Sequence, residues 1–317
     1  MNEFSLIQHF FQSIPIKRQD VVLGIGDDAA CLNVPQGMQL LISTDTLVSG
    51  VHFLSQWTGY DIASRAVRVT VSDMAAMAAE PCWLTLALTL PEHNSLWLES
   101  FSKGLSDSLK AFHVDLIGGD TTKGPLSMTL TILGLAPENS ILQRRGAKPG
   151  DVIFVSGVLG GAALAIRLLE SQVISETDKK ELTQKLLYPQ PRMDLQTYLR
   201  AYASTAIDIS DGLSADLNHI CQASAVGACL EQESLPIHPL LHKYLKDEAL
   251  DLALTGGDDY ELCFTVPKTQ VASFTQALQS AGLLCYPVGY IEDKPGLRLK
   301  NSGGSCQVIE PKGYSHF

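Results

Sequence analysis

Six short apolar runs in this chain end at aspartate, and this repeated ending constrains the fold more than any other feature of the sequence. Runs rich in Val, Ile, Leu and Thr that close on Gly or Asp are typical of strands or of the ends of buried helices. A single aspartate in such a place usually forms a turn or caps a helix. The whole set, with small residues beside it, instead predicts carboxylates that approach a ligand closely. The acids concerned are Asp27, Asp28, Asp45, Asp73, Asp120, Asp208, Asp211, Asp258 and Asp259.

Carboxylates that converge on one place repel one another unless cations lie between them. Oxygen ligands with few His or Cys nearby favour Mg²⁺ or another hard cation. Mg²⁺ usually shares its coordination sphere with phosphate groups. A set of this size therefore predicts several metal ions and a phosphorylated ligand, of which a nucleotide is the commonest.

The usual nucleotide-binding motifs are absent from the sequence. No G-x-x-x-x-G-K-[ST] motif occurs, and Gly24-Ile25-Gly26 lacks the third glycine of a strand-following G-x-G-x-x-G. The strand-like run 151–155 leads into Gly157–Ala162, which suits either a weak phosphate loop or a helix start packed closely on a sheet. Phosphates would then be held through metal ions and a few basic residues. Arg144 and Arg145 are the best candidates for that contact, with an exposed linker pair as the alternative.

The charge and the cysteine content exclude several classes of protein. With 23 Lys and Arg against 34 Asp and Glu, the net charge is −11, so we expect no binding of nucleic acid or of an anionic membrane. The seven cysteines are widely spread without a C-x-x-C pair, which argues against a zinc site or a disulfide framework and favours a reducing cytoplasm. Apolar runs are shorter than the ~20 residues that span a bilayer. The sequence thus predicts a cytoplasmic protein.

A length of 317 residues predicts two domains, because domains cluster at about 100–200 residues. The polar, turn-rich segment 137–151 is the best boundary between them. The predicted domains are 1–140 and 141–317.

Helical patterns lie between the apolar runs. An apolar stripe with helical spacing predicts a helix over 98–112. Ser72-Asp73 and Ser210-Asp211 are both predicted to cap the starts of helices. Each pair begins 46 residues before a Gly-Gly-Asp sequence, at Gly118–Asp120 and at Gly256–Asp258, and both intervals read helix, strand, helix, strand. The equal spacing indicates either two related half-domains or a coincidence between short motifs.

Seven short motifs follow one another along nearly the whole chain. They are Gly24–Ala30, Ser43–Leu47 with His52-Phe53, Ser72–Met77, Gly118–Thr122, Ile207–Gly212, Gly256–Leu262 and Gly313–Phe317. Taken in order, these motifs resemble the thiamine-monophosphate kinase family, a branch of the aminoimidazole-ribonucleotide synthetase-like ATP enzymes. Two positions depart from the family pattern, since many relatives have Glu where Asp258 stands and often Trp where Tyr314 stands.

The resemblance implies an α+β fold with two α/β domains of the aminoimidazole-ribonucleotide synthetase-like type. The N-terminal domain is expected to bind ATP and Mg²⁺ and to pair with its copy in a homodimer around a shared β-barrel. The C-terminal domain is expected to complete an active site that lies between the domains. The implied reaction converts ATP and thiamine monophosphate into ADP and thiamine diphosphate with several Mg²⁺ ions.

The same resemblance implies the roles of individual residues. Asp120 and Asp211 are expected to be catalytic. From the residues alone, His52 and Tyr314 suit structural packing as well as a functional role. The implied metal ligands are Asp28, Ser43, Thr44, Asp45, Asp73, Asp120, Asp208 and Asp211. The implied ATP contacts are Gly119, Asp120, Arg144 and Ser210, and the implied substrate contacts are His52, Asp258 and Tyr314.

The residue types agree with direct phosphoryl transfer. The second pKa of a phosphate monoester is about 6, so the attacking oxygen is already largely ionised near pH 7 and needs no general base. Alignment of two anions and neutralisation of their charge would then supply the catalysis. Three alternatives remain: another ATP-using member of the superfamily, a carboxylate-bridged metal-dependent phosphatase, and a nucleotide-sensing dimer without activity.

Overall fold

The computed structural model describes residues 3–168, 171 and 173–316. Phe317, the last residue of the predicted closing motif, lies outside them. The chain forms two compact units, of which the first contains the residues up to Met74 with Ala79–Ser140, and the second contains Ala75–Ala78 and the chain from Ile141 onward. Each unit combines helices with a β-sheet, so the predicted mixed α/β content is confirmed. Among the described residues, no helix is both long and apolar enough to cross a membrane.

Unit 1 is built on a four-stranded sheet with two long helices. The strand order is β3-β6-β4-β5, in which β4 and β5 are parallel and the other neighbours are antiparallel. The strand β3 therefore lies at an edge of the sheet. The elements are α1 (Glu3–Leu6), a π-helical turn (Ile7–Phe11), β1 (Val21–Leu23), β2 (Cys31–Leu32), β3 (Met38–Val48), α2 (Gly59–Ala76), β4 (Glu80–Leu90), α3 (Ser95–Phe112), β5 (Asp115–Lys123) and β6 (Ser127–Pro137).

The predicted apolar stripe lies on α3. Asn94 caps the start of this helix by accepting a hydrogen bond from the Trp97 N–H at 3.1 Å. His113, in the left-handed conformation, follows its last residue. The helix predicted over 98–112 is thus confirmed. Its buried stripe residues are Leu98, Phe101, Leu105 and Leu109.

The pair Ser72-Asp73 does not open a helix, and that prediction is wrong. Both residues lie near the end of α2, in which every position from Ile62 to Met74 except Arg68 and Asp73 is buried. The run Val67–Ser72 resembles a strand in sequence because two neighbouring faces of the helix are buried, so that apolar residues follow one another closely.

Unit 2 is built on a seven-stranded sheet with the order β13-β12-β9-β11-β7-β10-β8. The neighbours β9 and β12 are parallel, and the other neighbours are antiparallel. Phe154 and Phe264 stack in its core at 5.6 Å between ring centroids, with the edge of Phe274 against them. The helices and strands are β7 (Val152–Val155), α4 (Gly161–Leu168), α5 (Glu176–Leu187), α6 (Gln196–Tyr202), β8 (Thr205–Asp208), α7 (Leu213–Ser224), β9 (Gly227–Glu231), α8 (Pro239–Leu245), α9 (Ala249–Thr255), β10 (Leu262–Val266), α10 (Val271–Ser280), β11 (Tyr286–Glu292), β12 (Gly296–Lys300) and β13 (Cys306–Ile309). Short 3₁₀ turns lie at Met193–Leu195, Gln232–Ser234 and Lys246–Glu248.

The second Gly-Gly-Asp sequence does not end a strand. Gly256 follows α9 directly, and β10 begins only at Leu262. The interval from Ser210 therefore contains a helix, a strand and two short helices, and the predicted order of elements is wrong there. The alternating leucines of 250–254 suited a strand, but the buried Ala249, Ala253 and Leu254 share one side of a helix.

Candidate active site

Strand β3 and the end of α2 bring two carboxylates together in unit 1. Ser43 and Asp45 lie two residues apart on one face of β3. The Ser43 Oγ donates a hydrogen bond to Asp73 Oδ2 at 2.5 Å. Burial raises the pKa of Asp45 to about 6, and the negative charge of Asp73 adds to the shift. Three of the predicted metal ligands, Ser43, Asp45 and Asp73, thus lie together. The negative charges of the two aspartates favour a bound cation.

Thr44 lies between these residues but its side chain is on the other face of β3. Its Oγ1 is 2.9 Å from Thr131 Oγ1 on the neighbouring strand β6. Side chains alternate between the two faces of a strand. The hydroxyl of Thr44 therefore lies on the face of β3 opposite to the side chains of Ser43 and Asp45. Only the main-chain atoms of Thr44 are close to those two residues.

Gly119 and Asp120 lie in β5, where the main chain packs closely on β4. A Cβ at Gly119 would lie 1.9 Å from the Leu86 carbonyl oxygen, so the position admits no side chain. Asp120 is exposed and borders a small cavity whose other walls are largely apolar. The apolar side chains that line this cavity are Ile7, Phe11, Ile25, Leu86 and Leu116.

His52 lies in the turn that follows β3. Its Nδ1 accepts a hydrogen bond from the Val48 N–H at 3.0 Å. In the neutral ring this bond places the proton on Nε2. Asp28 is exposed in a bend after β1, where its N–H donates to Asp27 Oδ1 at 2.9 Å.

In unit 2 the predicted acids follow β8. Asp208 is the last, buried residue of that strand, and Asp211 comes just before α7. The opening of a helix here is confirmed, but Ser210 and Asp211 do not cap it with their side chains. Instead Asp216 Oδ2 accepts hydrogen bonds from the N–H groups of Asp211 and Gly212, both at 3.1 Å.

Asp216 is a residue of this site that the sequence analysis missed. Burial raises its pKa to about 7, and the charge of Asp211 adds to the shift. Its position in the first turn of α7 is the signal in the sequence, because acids there bind the exposed N–H groups of a helix start.

Main-chain contacts bring two of the predicted substrate residues to the end of β8. The Asp258 N–H donates to the Ser210 carbonyl oxygen at 2.8 Å, and the Tyr314 N–H donates to the Asp211 carbonyl oxygen at 3.0 Å. The Tyr314 ring is half exposed, and its hydroxyl lies 3.2 Å from His316 Nδ1. Four predicted site residues of unit 2 are thus neighbours just beyond the end of β8, namely Ser210, Asp211, Asp258 and Tyr314.

The two arginines of 141–151 are exposed. The carbonyl oxygen of Arg144 accepts a hydrogen bond from Ser224 Oγ at 3.3 Å, which ties the main chain of this segment to the end of α7. The positive charge of Arg144 also acts to lower the pKa of Asp216.

Throughout residues 3–168, 171 and 173–316, no three His, Cys, Asp or Glu side chains lie close enough together to hold a metal ion. Asp45 and Asp73 of unit 1 are nevertheless a pair of neighbouring acids whose charges repel. Two carboxylates and the Ser43 hydroxyl offer hard oxygen ligands, and Mg²⁺ takes its remaining ligands from water and phosphate. These residues fit the ion.

Both halves of the chain match families of known proteins. Residues 26–136 match the family described as AIR synthase related protein, N-terminal domain, and residues 148–301 match its C-terminal domain. The thiamine-monophosphate kinase of Salmonella typhimurium is 47% identical over 319 residues, which cover 99% of this chain and 98% of that protein. The chain belongs to the thiamine-monophosphate kinase family. The resemblance seen in the motifs is thereby confirmed, as is the expectation that the chain is an enzyme.

Solved structures of the thiamine-monophosphate kinase family share this fold. The enzyme from Stenotrophomonas maltophilia has a TM-score of 0.87 and 42% identity, and the match covers 94% of this chain and 96% of that one. A structure of AaThiL in complex with AMPPCP and TMP has a TM-score of 0.79 and 32% identity, over 99% of this chain and 97% of that one. Two AIR synthase related domains of mixed α/β content are therefore confirmed.

The Asp45–Asp73 pair predicts a coupled titration in the metal-free protein. Asp73→Asn should lower the pKa of Asp45 from about 6 because it removes the neighbouring charge, but not to the ordinary 3.8, because burial is the larger cause. The folded protein binds the Asp45 proton more tightly than the unfolded chain does. The free energy of unfolding should therefore fall as the pH rises from 3.8 to about 6. Carboxyl ¹³C NMR titration in EDTA measures the shift.

Glu138→Gln, at an exposed acid of the same unit, is the matched control and should leave the Asp45 titration unchanged. An Asp45 pKa that Asp73→Asn does not move would contradict the interaction between the two carboxylates.

Proposed function

We propose that this chain transfers the γ-phosphoryl group of ATP to thiamine monophosphate and releases thiamine diphosphate and ADP. The observation that carries the proposal is membership of the thiamine-monophosphate kinase family over nearly the full length of the chain. The likeness to a structure that holds AMPPCP and TMP supports the same pair of substrates. The phosphate monoester of thiamine monophosphate supplies its own ionised nucleophile, so the proposed reaction needs no general base.

The acids of both units would hold several Mg²⁺ ions. When bound, Mg²⁺ would neutralise the phosphate charge that builds up as the two anions approach. Asp28, Asp45, Asp73 and Asp120 would bind the ions in unit 1 with the Ser43 hydroxyl, and Asp208 and Asp211 would do so in unit 2. For Thr44 the ligand would be the carbonyl oxygen, because its hydroxyl pairs with Thr131 on the other face of β3.

The cavity beside Asp120 suits the base of ATP. Its walls are apolar side chains, whereas Asp120 itself is exposed and charged. A flat, poorly hydrated purine gains by burial against such walls. Gly119 and Asp120 would contact ATP beside this cavity, and Arg144 and Ser210 are proposed to contact its phosphates.

The substrate residues have complementary chemistry for thiamine monophosphate. The Nε2–H of His52 would donate to the phosphate, because Nδ1 is already an acceptor for Val48. Thiamine carries a positive charge, which Asp258 would balance and the face of Tyr314 would attract. Asp120 and Asp211 are proposed to be the catalytic acids, which would act at the two reacting phosphate groups.

We also propose that the unit 1 sheet pairs with a second copy of the chain into a β-barrel. β3 is an edge strand of 11 residues, and the side that carries Leu40, Ile42 and Thr44 is exposed. Ile42 in particular is 61% exposed. A long edge strand with apolar residues on an open face is a liability unless another chain covers it.

Loss of one metal-binding acid should stop the reaction without unfolding the protein. With ATP, Mg²⁺ and thiamine monophosphate, Asp120→Asn should lower kcat about 10²-fold or more, because transition-state charge is no longer balanced. HPLC of thiamine diphosphate and ADP measures the rate, and the enzyme in EDTA gives the background without metal. Glu138→Gln is the matched control and should keep normal turnover. Normal turnover by Asp120→Asn with an unchanged Tm would contradict the assignment of Asp120 as a metal ligand.

Ile42→Lys should shift the protein from dimer to monomer, because it places a charge on the open face of β3. Size-exclusion chromatography with light scattering measures the mass. Leu96→Lys, at a residue of α3 that is 79% exposed, is the control and should leave the mass of a dimer. A monomeric wild-type protein, or a dimer in Ile42→Lys, would speak against pairing through β3.

A further inference from the structure

The turn that carries Asp258 has a strained main chain. Asp258 and Tyr260 both have positive φ angles, of 70° and 48°. Residues other than glycine adopt this region at a cost, so two of them within three positions persist only where contacts fix the turn. On one side, the N–H groups of Asp258 and Tyr260 donate to the carbonyl oxygens of Ser210 and Ile209, at 2.8 and 2.9 Å.

Asp259, between the two strained residues, fixes the other side of the turn. Its carboxylate accepts hydrogen bonds from the Gly160 N–H at 2.7 Å and from the Ala162 N–H, at the start of α4. Gly160 has a φ of 85°, and a Cβ there would lie 2.6 Å from the Leu241 side chain. Only glycine therefore lets the main chain reach the carboxylate without strain.

The same contact explains the segment Gly157–Ala162, which resembles a phosphate loop in sequence. The N–H groups at the start of α4 that would bind a phosphate in such a loop are bound to Asp259 instead. Burial raises the pKa of Asp259 to about 8, and Glu261 and Asp258 add to the shift. This helix start is thus an internal anchor for the turn.

Glu261 anchors the far end of the turn. Its Oε2 accepts hydrogen bonds from Ser156 Oγ at 2.5 Å and from Arg192 Nη1 at 3.2 Å. Of the three acids in this turn, two are therefore used to attach it to the rest of unit 2. The third, Asp258, is the one that the proposed function assigns to the substrate.

We propose that Asp259 is a positioning residue, whose bond to the start of α4 fixes the strained turn so that Asp258 contacts the thiamine part of the substrate. The inference rests on the proposed function and adds a residue to it. Without the anchor, the turn is expected to relax and the Asp258 carboxylate to move. A displacement of about 1 Å can cost up to about 10²-fold in rate.

The effect should fall on one substrate only. Asp258 would contact thiamine and not the nucleotide, so Asp259→Ala should raise the KM for thiamine monophosphate about tenfold or more and leave the KM for ATP unchanged. Asp259→Asn should have a smaller effect, because its amide carbonyl oxygen still accepts hydrogen bonds from the start of α4. Asp251→Asn, which removes an exposed acid from α9, is the control with wild-type constants.

A double-mutant cycle separates positioning from a merely structural role. If Asp259 acts through Asp258, then Asp258→Asn with Asp259→Asn should have the same KM for thiamine monophosphate as Asp258→Asn alone. Should Asp259→Ala not fold, the cycle with the Asn variants still tests the inference.

Three results would overturn the inference: additive effects in the cycle, equal rises in both KM values, or a lowered Tm with both KM values unchanged. Failure of the proposed function itself is distinguishable, since the wild-type protein would then form no thiamine diphosphate from ATP and thiamine monophosphate.

Discussion

The electrostatic repulsion between Asp45 and Asp73 is the constraint on which the proposed metal site of unit 1 depends. Strand β3 and helix α2 belong to one packed unit, so the two carboxylates cannot separate without disturbing that unit. Burial denies them the screening that water would supply, and the pKa of Asp45 rises to about 6. A chain that keeps two such acids close together gains most from them when a cation is bound, because the ion replaces repulsion by attraction on both sides.

Other acids of the chain serve a different purpose, since they bind main-chain N–H groups. Asp216 binds the N–H groups of Asp211 and Gly212, and Asp259 binds the start of α4. Asp115 accepts hydrogen bonds from the N–H groups of Lys17 and Arg18, at 2.8 and 2.6 Å. Asp216 and Asp259 thereby orient loops that carry the proposed ligands Asp211 and Asp258. The acidic composition therefore combines two kinds of carboxylate, one that fixes the main chain and one that is proposed to contact metal or substrate.

The sequence predicted those parts of the fold in which a local pattern has one physical cause. The stripe on α3 was predicted correctly because its spacing matches a helix with one buried face. The helix start predicted at Ser72-Asp73 is wrong because α2 is buried on more than one face there, so the sequence does not show that a helix is already running. The strand predicted before Gly256 is wrong because alternating leucines within a short helix imitate a strand. Local pattern does not separate these cases, because tertiary packing decides them.

For the site, motifs predicted which residues matter better than how each is used. The structure brings Asp73 to Ser43 and Asp45, although Ser43 and Asp73 are 30 residues apart in the sequence. This proximity depends on how α2 packs on the sheet. The opposite orientation of Thr44 follows from strand alternation, but only once β3 is known to run unbroken from Met38 to Val48. The anchoring role of Asp259 is not predictable from the sequence, because its partners are main-chain N–H groups, which carry no signal of residue type. For Asp216 the signal is its place in the first turn of α7.

The most direct test of this account is the thermal unfolding midpoint of the wild-type protein and of Asp73→Asn, each with EDTA or with Mg²⁺, at a pH of about 7.5. Asp73→Asn should be more stable than the wild type in EDTA, because the repulsion is gone, and Mg²⁺ should raise the Tm of the wild type more than that of the variant. A variant that is less stable in EDTA and gains as much from Mg²⁺ as the wild type would contradict the claim that these paired carboxylates form a metal site.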